Sequence, residues 1–269
     1  MRTVRTVAEI RVAVEPFSEV GLVPTMGAFH EGHLSLFAAA RAESDAVVAS
    51  LFVNPAQFGP SEDLARYPRD DAEDARAAEE AGVDFLFTPS ADEMYPEGYG
   101  TWVDVGELGT RLEGEFRPGH FRGVATVCLK LFNIVRPRRA YFGQKDAQQA
   151  AVVKQLVSDL NVDLEVRVMP TVRDEDGLAL SSRNAYLSPE ERDAALALPR
   201  ALATKDLEQA RALLSELDVD YLEIADLDGQ RVLAAAVHVG DTRLIDNVLL
   251  DIPCQDSSWL GRTNKGDKR

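Results

Sequence analysis

The chain has 269 residues, 45% apolar and 28% charged, with 18 glycines and 13 prolines. That composition is ordinary for a globular protein, and the length is enough for a sizeable core and favours two domains over one. A net charge of −16 argues against non-specific nucleic-acid binding, which needs a basic surface. No run of about 18 apolar residues occurs, and Arg2, Arg5, Glu9 and Arg11 interrupt the N-terminus, which lacks a signal-peptide core; the expectation is a soluble, cytoplasmic protein with no membrane contact.

In chain order, residues 19–24 read as a short buried strand. After a glycine turn, Leu34, Leu36, Phe37 and Ala40 fall on one helix face. His30 and His33 stand at the entrance of that helix, where free backbone N–H groups and the positive dipole end favour an anion. Three residues apart, they share a face and can grip a polyphosphate together. A zinc peptidase helix needs ligands at i and i+4, and Leu34 stands there instead. A lone histidine at a helix start is more often a cap, but two histidines flanking Gly32 favour a ligand site.

A β-rich apolar run at 46–53 leads into Asn54-Pro55-Ala56-Gln57-Phe58. An acidic amphipathic helix is predicted over 70–81, a strand over 83–87, a buried helix over 123–135, strands over 140–142 and 164–169, and a helix over 146–160. Gly143-Gln144-Lys145-Asp146 follows the strand at 140–142. The alternation implies a Rossmann-like, doubly wound α/β domain with a mostly parallel sheet over residues 1–172, whose ligands bind at the carboxyl ends of the strands. A smaller α+β domain is expected over 173–269. Its first helix opens on the capping box Ser188-Pro189-Glu190-Glu191 and runs to about 203, a second covers 207–217, and strands cover 220–226, 231–239 and 242–250. Residues 256–269 form a polar tail. Cys128 and Cys254 have no metal-ligand spacing and read as reduced and buried.

Neither a G-x-x-x-x-G-K-[ST] phosphate loop nor a G-x-G-x-x-G fingerprint is present. What remains is the histidine pair, Lys145, and the loop Leu180-Ser181-Ser182-Arg183-Asn184, whose hydroxyls and guanidinium suit an anionic oxygen. Taken alone that loop is a hydrogen-bonded turn; its weight lies in the combination. Arg117, His120 and Arg122 precede a helix and read either as an anion-attracting gate or as capping and surface residues, and Arg138 and Arg139 as surface charge.

An H-x-G-H segment on the first helix of a doubly wound domain, with a later basic serine loop, resembles the adenylyl-transferring superfamily of nucleotidyltransferases and class I aminoacyl-tRNA synthetases. Within it, Pro24-Thr25-Met26-Gly27, Phe52-Val53-Asn54-Pro55-Ala56-Gln57-Phe58, Phe142-Gly143-Gln144-Lys145-Asp146 and Leu180-Ser181-Ser182-Arg183-Asn184 together resemble the pantoate–β-alanine ligase (pantothenate synthetase) family over about residues 1–250. The resemblance implies a two-step ligation in which pantoate and ATP give pantoyl adenylate and pyrophosphate, and β-alanine then displaces AMP. It also implies an ATP site of Met26, Gly27, His30, His33, Gly143, Gln144, Lys145, Asp146, Val172, Leu180, Ser181, Ser182 and Arg183, with His33 a proton donor in relatives. His30, His33, Lys145 and Arg183 are the expected catalytic residues. In-line attack by an ionised carboxylate leaves no proton to remove, so both histidines are expected to stabilise the phosphoryl transition state by hydrogen bonding. Gln57 and Gln149 correspond to the pantoate ligands, with Phe58 and Val124 near the geminal methyls. Mg²⁺ on the nucleotide phosphates and a homodimer through the first domain are implied too. The sequence departs from its relatives in a short connection at Thr204-Lys205-Asp206 and in the tail after Cys254. The competing readings are an H-x-G-H nucleotidyltransferase acting on a phosphorylated small molecule, and a nucleotide-binding module without activity.

Overall fold

A computed structural model describes residues 1–60 and 62–250; Cys254 and the polar tail lie outside the described residues. The chain opens with β1 (Arg2–Val4) and α1 (Val7–Val14), the latter started by a Thr6–Glu9 capping box and buried through Ile10, Ala13 and Val14. No element was expected here, so the histidines lie on the second helix of the domain, not the first. They belong to the unit β2 (Val20–Thr25), α2 (Glu31–Glu43), β3 (Ala46–Leu51). Next come α3 (Asp71–Glu80), β4 (Phe85–Phe87) and two single-turn helices, α4 (Ala91–Met94) and α5 (Glu113–Phe116). Then follow α6 (His120–Val135), β5 (Arg139–Gly143), α7 (Ala147–Asp159) and β6 (Glu165–Met169). Helix α6 starts three residues earlier than expected because Gly119, at φ 84°, turns the chain into it.

The six strands lie in the order β1-β4-β3-β2-β5-β6, and every pairing is parallel. The chain winds outward from β2 through β3 and β4, then crosses to β5 and β6, so the order reverses between β2 and β5. Alternate residues of the central strands bury on opposite faces. Val20 and Leu22 join Ile10, Phe121, Phe132 and Val153 under α1, α6 and α7, whereas Val23 joins Phe37, Ala40 and Ala78 under α2 and α3. This is the doubly wound, Rossmann-like sheet expected.

Beyond it, α8 (Pro189–Ala195), α9 (Ala197–Ala203) and α10 (Leu207–Leu213) precede an antiparallel sheet of β7 (Asp218–Leu227), β8 (Gln230–Val239) and β9 (Thr242–Leu249). The helix expected to run to residue 203 divides at Leu196. Pro199 has no N–H for the carbonyl four residues earlier, so it is tolerated only in the first turn of a new helix. One face of this small sheet packs Leu233, Ala235 and Val237 on Leu198, Leu202 and Ala210. The other places Tyr221, Ala225, Ala234 and Ala236 against Leu112, Ala147 and Ala151 of the parallel-sheet domain.

Candidate active site

A cavity of about 770 Å³ opens where the strand order reverses, over the carboxyl ends of β2, β3 and β5. Met26, Asn54, Gln57 and Gly143 line its floor, and Leu180, Ser181, Ser182, Arg183 and the β9 residues Leu244 to Asn247 line the facing wall.

His30 is the N-cap of α2, and its Nδ1 accepts the Gly32 N–H at 3.1 Å. The His33 Nδ1 in turn accepts the His30 N–H at 3.4 Å, and the rings lie 4.2 Å apart. Burial, then the Lys145 charge, lowers the His30 pKa to about 4. Burial, with His30 and Lys145 beside it, lowers His33 to about 3. Both rings are therefore neutral at pH 7 with Nδ1 occupied as acceptor, so the proton of each sits on Nε2. The helix entrance thus presents two uncharged N–H donors to the cavity.

Gln57 is buried and held by its neighbours. Its Oε1 accepts from Asn54 Nδ2 at 2.9 Å, while its Nε2 donates to Met26 Sδ at 3.2 Å. The oxygen faces Asn54, leaving the amide N–H side as what Gln57 offers a ligand. Asn54 is itself fixed by the Tyr95 hydroxyl at 2.8 Å and the Gly123 carbonyl at 3.2 Å. Gln149 and Val124 line the cavity; Phe58 instead packs edge-on against Tyr67 at 5.9 Å. The neighbouring Gln148 is structural, bonded to Leu108, Arg111 and Glu113 backbone groups.

Lys145 lines the cavity with its Nζ 3.3 Å from Asp146 Oδ1. Arg183 also lines it, but Nε and Nη2 form a two-point pair with Asp63 at 2.9 and 2.8 Å, and its guanidinium lies 5.8 Å from the Tyr67 ring centre. Ser182 reaches the Tyr67 hydroxyl at 3.2 Å, and the Ser181 hydroxyl accepts the Arg183 N–H. Val172 lines the cavity and its carbonyl accepts the Leu180 N–H at 3.0 Å. Arg117 and His120 line the wall, yet neither is a free cation. Arg117 pairs with Glu62 at 2.5 Å and lies 3.7 Å from Glu113; the His120 Nδ1 is 2.8 Å from the Gln57 carbonyl, and burial with the Arg117 charge lowers its pKa to about 4. Arg122 is exposed and stacks 5.0 Å over Trp102, away from the cavity.

Two residues of the expected nucleotide set do not line the cavity. Gly27, at φ +92°, shapes the turn after β2, and a Cβ there would stand 2.8 Å from Asp74 Oδ2. Gln144 turns its carboxamide to Asn247 on β9. Among the described residues, no group of three or more His, Cys, Asp or Glu side chains is placed to enclose a metal ion.

The Pantoate-beta-alanine ligase family matches residues 2–249. The chain belongs to the pantoate–β-alanine ligase family. It is 52% identical to pantothenate synthetase of Moorella thermoacetica, over 94% of this chain and 99% of that one. The crystal structure of pantothenate synthetase from Thermus thermophilus superimposes with a TM-score of 0.89 at 49% identity, covering 92% of this chain and 99% of that one. That of the Francisella tularensis pantoate–β-alanine ligase, complexed with β,γ-ATP and β-alanine, does so with a TM-score of 0.85 at 35% identity, covering 93% and 97%. As a member of the pantoate–β-alanine ligases, the chain is an ATP-dependent ligase of pantothenate formation.

Several residues of this ligase site carry little signal in the sequence and were not expected there. Asp74 on α3, 3% exposed, accepts the Ala28 and Phe29 N–H groups at 2.8 and 2.7 Å and holds the turn before His30, where Ala28 itself has φ 52°. Its only signal was a position in an acidic first turn. Glu62 and Asp63 tie one loop to Arg117 and Arg183 on two sides of the cavity. In a chain of net charge −16, single carboxylates in a loop carry no mark that they meet arginines far along the sequence.

Proposed function

We propose that the cavity joins pantoate to β-alanine in two steps. A pantoate carboxylate oxygen attacks the α-phosphorus of ATP, the bond to the β-phosphate oxygen breaks, and pyrophosphate leaves. The amine of β-alanine then attacks the acyl carbon of pantoyl adenylate, the acyl–oxygen bond breaks, AMP leaves, and the nitrogen gives up a proton. A carboxylate is a poor acyl donor until an anhydride supplies a leaving group, and the phosphoryl step turns on positioning and on donors around the developing charge.

The observation that carries this reading is the pair of neutral Nε2–H donors at the α2 entrance, in one cavity with Lys145 and the Gln57 amide. Neutral donors suit a step with no proton to remove, and two imidazoles of such low pKa make poor bases at pH 7. Lys145 and Arg183 neutralise phosphate charge, Arg183 exchanging part of its Asp63 pairing for the nucleotide. Ser181 and Ser182 add hydroxyl donors, and Gly143, Asp146, Val172 and Leu180 complete the nucleotide wall, Val172 by backbone contact with adenine. Gln57 and Gln149 address the pantoate oxygens, with Val124 against its methyls. The donor set fits Mg²⁺ carried on the nucleotide's phosphates and water rather than in a protein cage. Bound there, the ion would supply charge neutralisation of the polyphosphate. We take the domain boundary at residue 172, the working form as a cytoplasmic homodimer through the first domain, and the substrates as pantoate, β-alanine and ATP; for the last two alone, the Francisella tularensis complex with β,γ-ATP and β-alanine is support.

The test is ATP–pyrophosphate exchange with purified protein. Exchange that requires pantoate, and AMP formation that requires β-alanine as well, are expected. Exchange without pantoate, or pantoate-dependent formation of ADP, overturns the adenylate route.

A further inference from the structure

Lys145 sits in the turn Gln144–Asp146 between β5 and α7, and neither that turn nor α7 receives a side-chain cap at its start. The turn is fixed from the other sheet. Asn247 on β9, 4% exposed, sends the two N–H bonds of its carboxamide to the Gln144 and Lys145 carbonyls, both at 2.9 Å. Its Oδ1 accepts from Gln144 Nε2 at 3.1 Å. Asparagine is the residue for this place. It supplies two donors and one acceptor from a single rigid plane, whereas aspartate would set a charge against two carbonyl oxygens and alanine would leave both without these donors.

Asn247 is held in turn. Its own N–H goes to Asp246 Oδ1 at 2.8 Å, and the Asp246 carboxylate, 2% exposed, takes a two-point pair from Arg173 at 2.6 and 3.0 Å. Arg173 stands on the chain leading from β6 to the small sheet. The end of β9 therefore grips both that connection and the backbone on which Lys145 is mounted. Seating of the small sheet has separate support: Arg243 pairs with buried Glu113 at 2.7 Å through each of two nitrogens, and the Tyr221 hydroxyl donates to Glu113 at 2.9 Å.

We propose that Asn247 is a positioning residue for Lys145, acting on the reaction by holding the backbone of the 144–145 turn so that the ammonium meets the nucleotide phosphates. This rests on the role given to Lys145 above. A reacting group misplaced by about 1 Å loses on the order of 100-fold in rate, so the contact bears on turnover more than on affinity for pantoate.

The experiment is a double-mutant cycle in pantoate-dependent ATP–pyrophosphate exchange, with wild type, Asn247→Ala, Lys145→Ala and the double variant, each checked by thermal unfolding. Asn247→Ala is expected to lower kcat by roughly 10- to 100-fold with the pantoate KM within about threefold. In the Lys145→Ala background the same change is expected to lower kcat by less than about threefold, because its target is gone. A merely structural contact would lower both backgrounds by equal factors, and that result, or Asn247→Ala within about twofold of wild type, overturns the assignment. If Asn247→Ala does not fold, the cycle is run with Asn247→Ser, which keeps one donor. An intermediate loss that disappears without Lys145 supports the proposal, and an equal loss in both backgrounds overturns it. Wild-type protein with no pantoate-dependent exchange removes the two-step reading and this inference together, whereas exchange with additive losses removes only the role of Asn247.

Discussion

Replacing His33 with alanine tests whether the imidazoles work as neutral donors or as cations. With pKa values of about 4 and about 3, the charged forms of His30 and His33 amount to roughly 10⁻³ and 10⁻⁴ at pH 7, so a route needing imidazolium carries a penalty of about 4–5 kcal/mol. Even with the pKa of His30 raised about two units by a bound triphosphate, only about 10% is charged. A neutral N–H donor carries no such penalty, and deleting one preorganised donor should lose about 2–4 kcal/mol of transition-state stabilisation, or about 30- to 1,000-fold in rate. The fold should survive, because the His33 Nδ1 holds only a long contact at 3.4 Å to the His30 N–H. The assay is pantoate-dependent exchange from about pH 5.5 to 8.5, expressed as the ratio of wild type to His33→Ala so that titration of the substrates cancels. A large ratio independent of pH is expected. A ratio that shrinks as pH climbs through the range near 6.5 would show imidazolium to be the working form, and a variant within about twofold of wild type would remove His33 from the reaction.

Gln57→Ala should weaken pantoate binding while leaving ATP binding intact; calorimetry that finds the reverse reassigns the residue to the nucleotide. Gly123→Ala should destabilise the protein: alanine gains about 1 kcal/mol as a helix former, but its Cβ would lie 2.3 Å from the Ala56 carbonyl oxygen and 2.7 Å from the Gln57 Cα, an overpacking cost of about 1–3 kcal/mol or more. A rise in Tm would show that the turn carrying Gln57 yields freely. His120, 8% exposed with its pKa lowered to about 4, gives the protein an acid limb. Below about pH 6.5 the unfolded state binds a proton that the folded state refuses, so stability should fall as pH drops from about 6.5 to about 4, by on the order of 3 kcal/mol at most from this group. Denaturant titrations of His120→Gln should show a shallower slope over that window, and an unchanged slope refutes the assignment.

The parallel sheet and the histidine entrance were legible because they are local patterns. Short, near-continuous apolar runs name β2 and β3, and apolar spacing from His33 names α2. The opening β1 and α1 were not legible: a three-residue edge strand shows no periodicity, and Thr6 and Glu9 mark a helix start only once the helix is known. Motif reading brought Gln57, Lys145, Gln149 and Arg183 to one cavity, yet it could not assign side-chain directions. Gln144 and Lys145 are neighbours, and one turns to Asn247 while the other lines the cavity. Gln148 and Gln149 both reach the cavity wall, yet the Gln148 carboxamide is spent on backbone groups of residues 108, 111 and 113. Such choices are made by groups far along the chain, and nothing in the local spacing records them. Arg117 shows the same limit from the other side, since its cationic appearance is cancelled by Glu62 and Glu113.

The Asp74 carboxylate that braces the turn before His30 also makes that turn answer to pH. Burial pushes its pKa up, against the two N–H bonds from Phe29 and Ala28 that favour the charged form, and no ion pair offsets it among the described residues. The two N–H bonds need an acceptor, and a protonated acid accepts more weakly than a carboxylate. Acid therefore loosens the brace on the loop that sets where His30 stands, and burial moves that loss to a higher pH than an exposed aspartate would show.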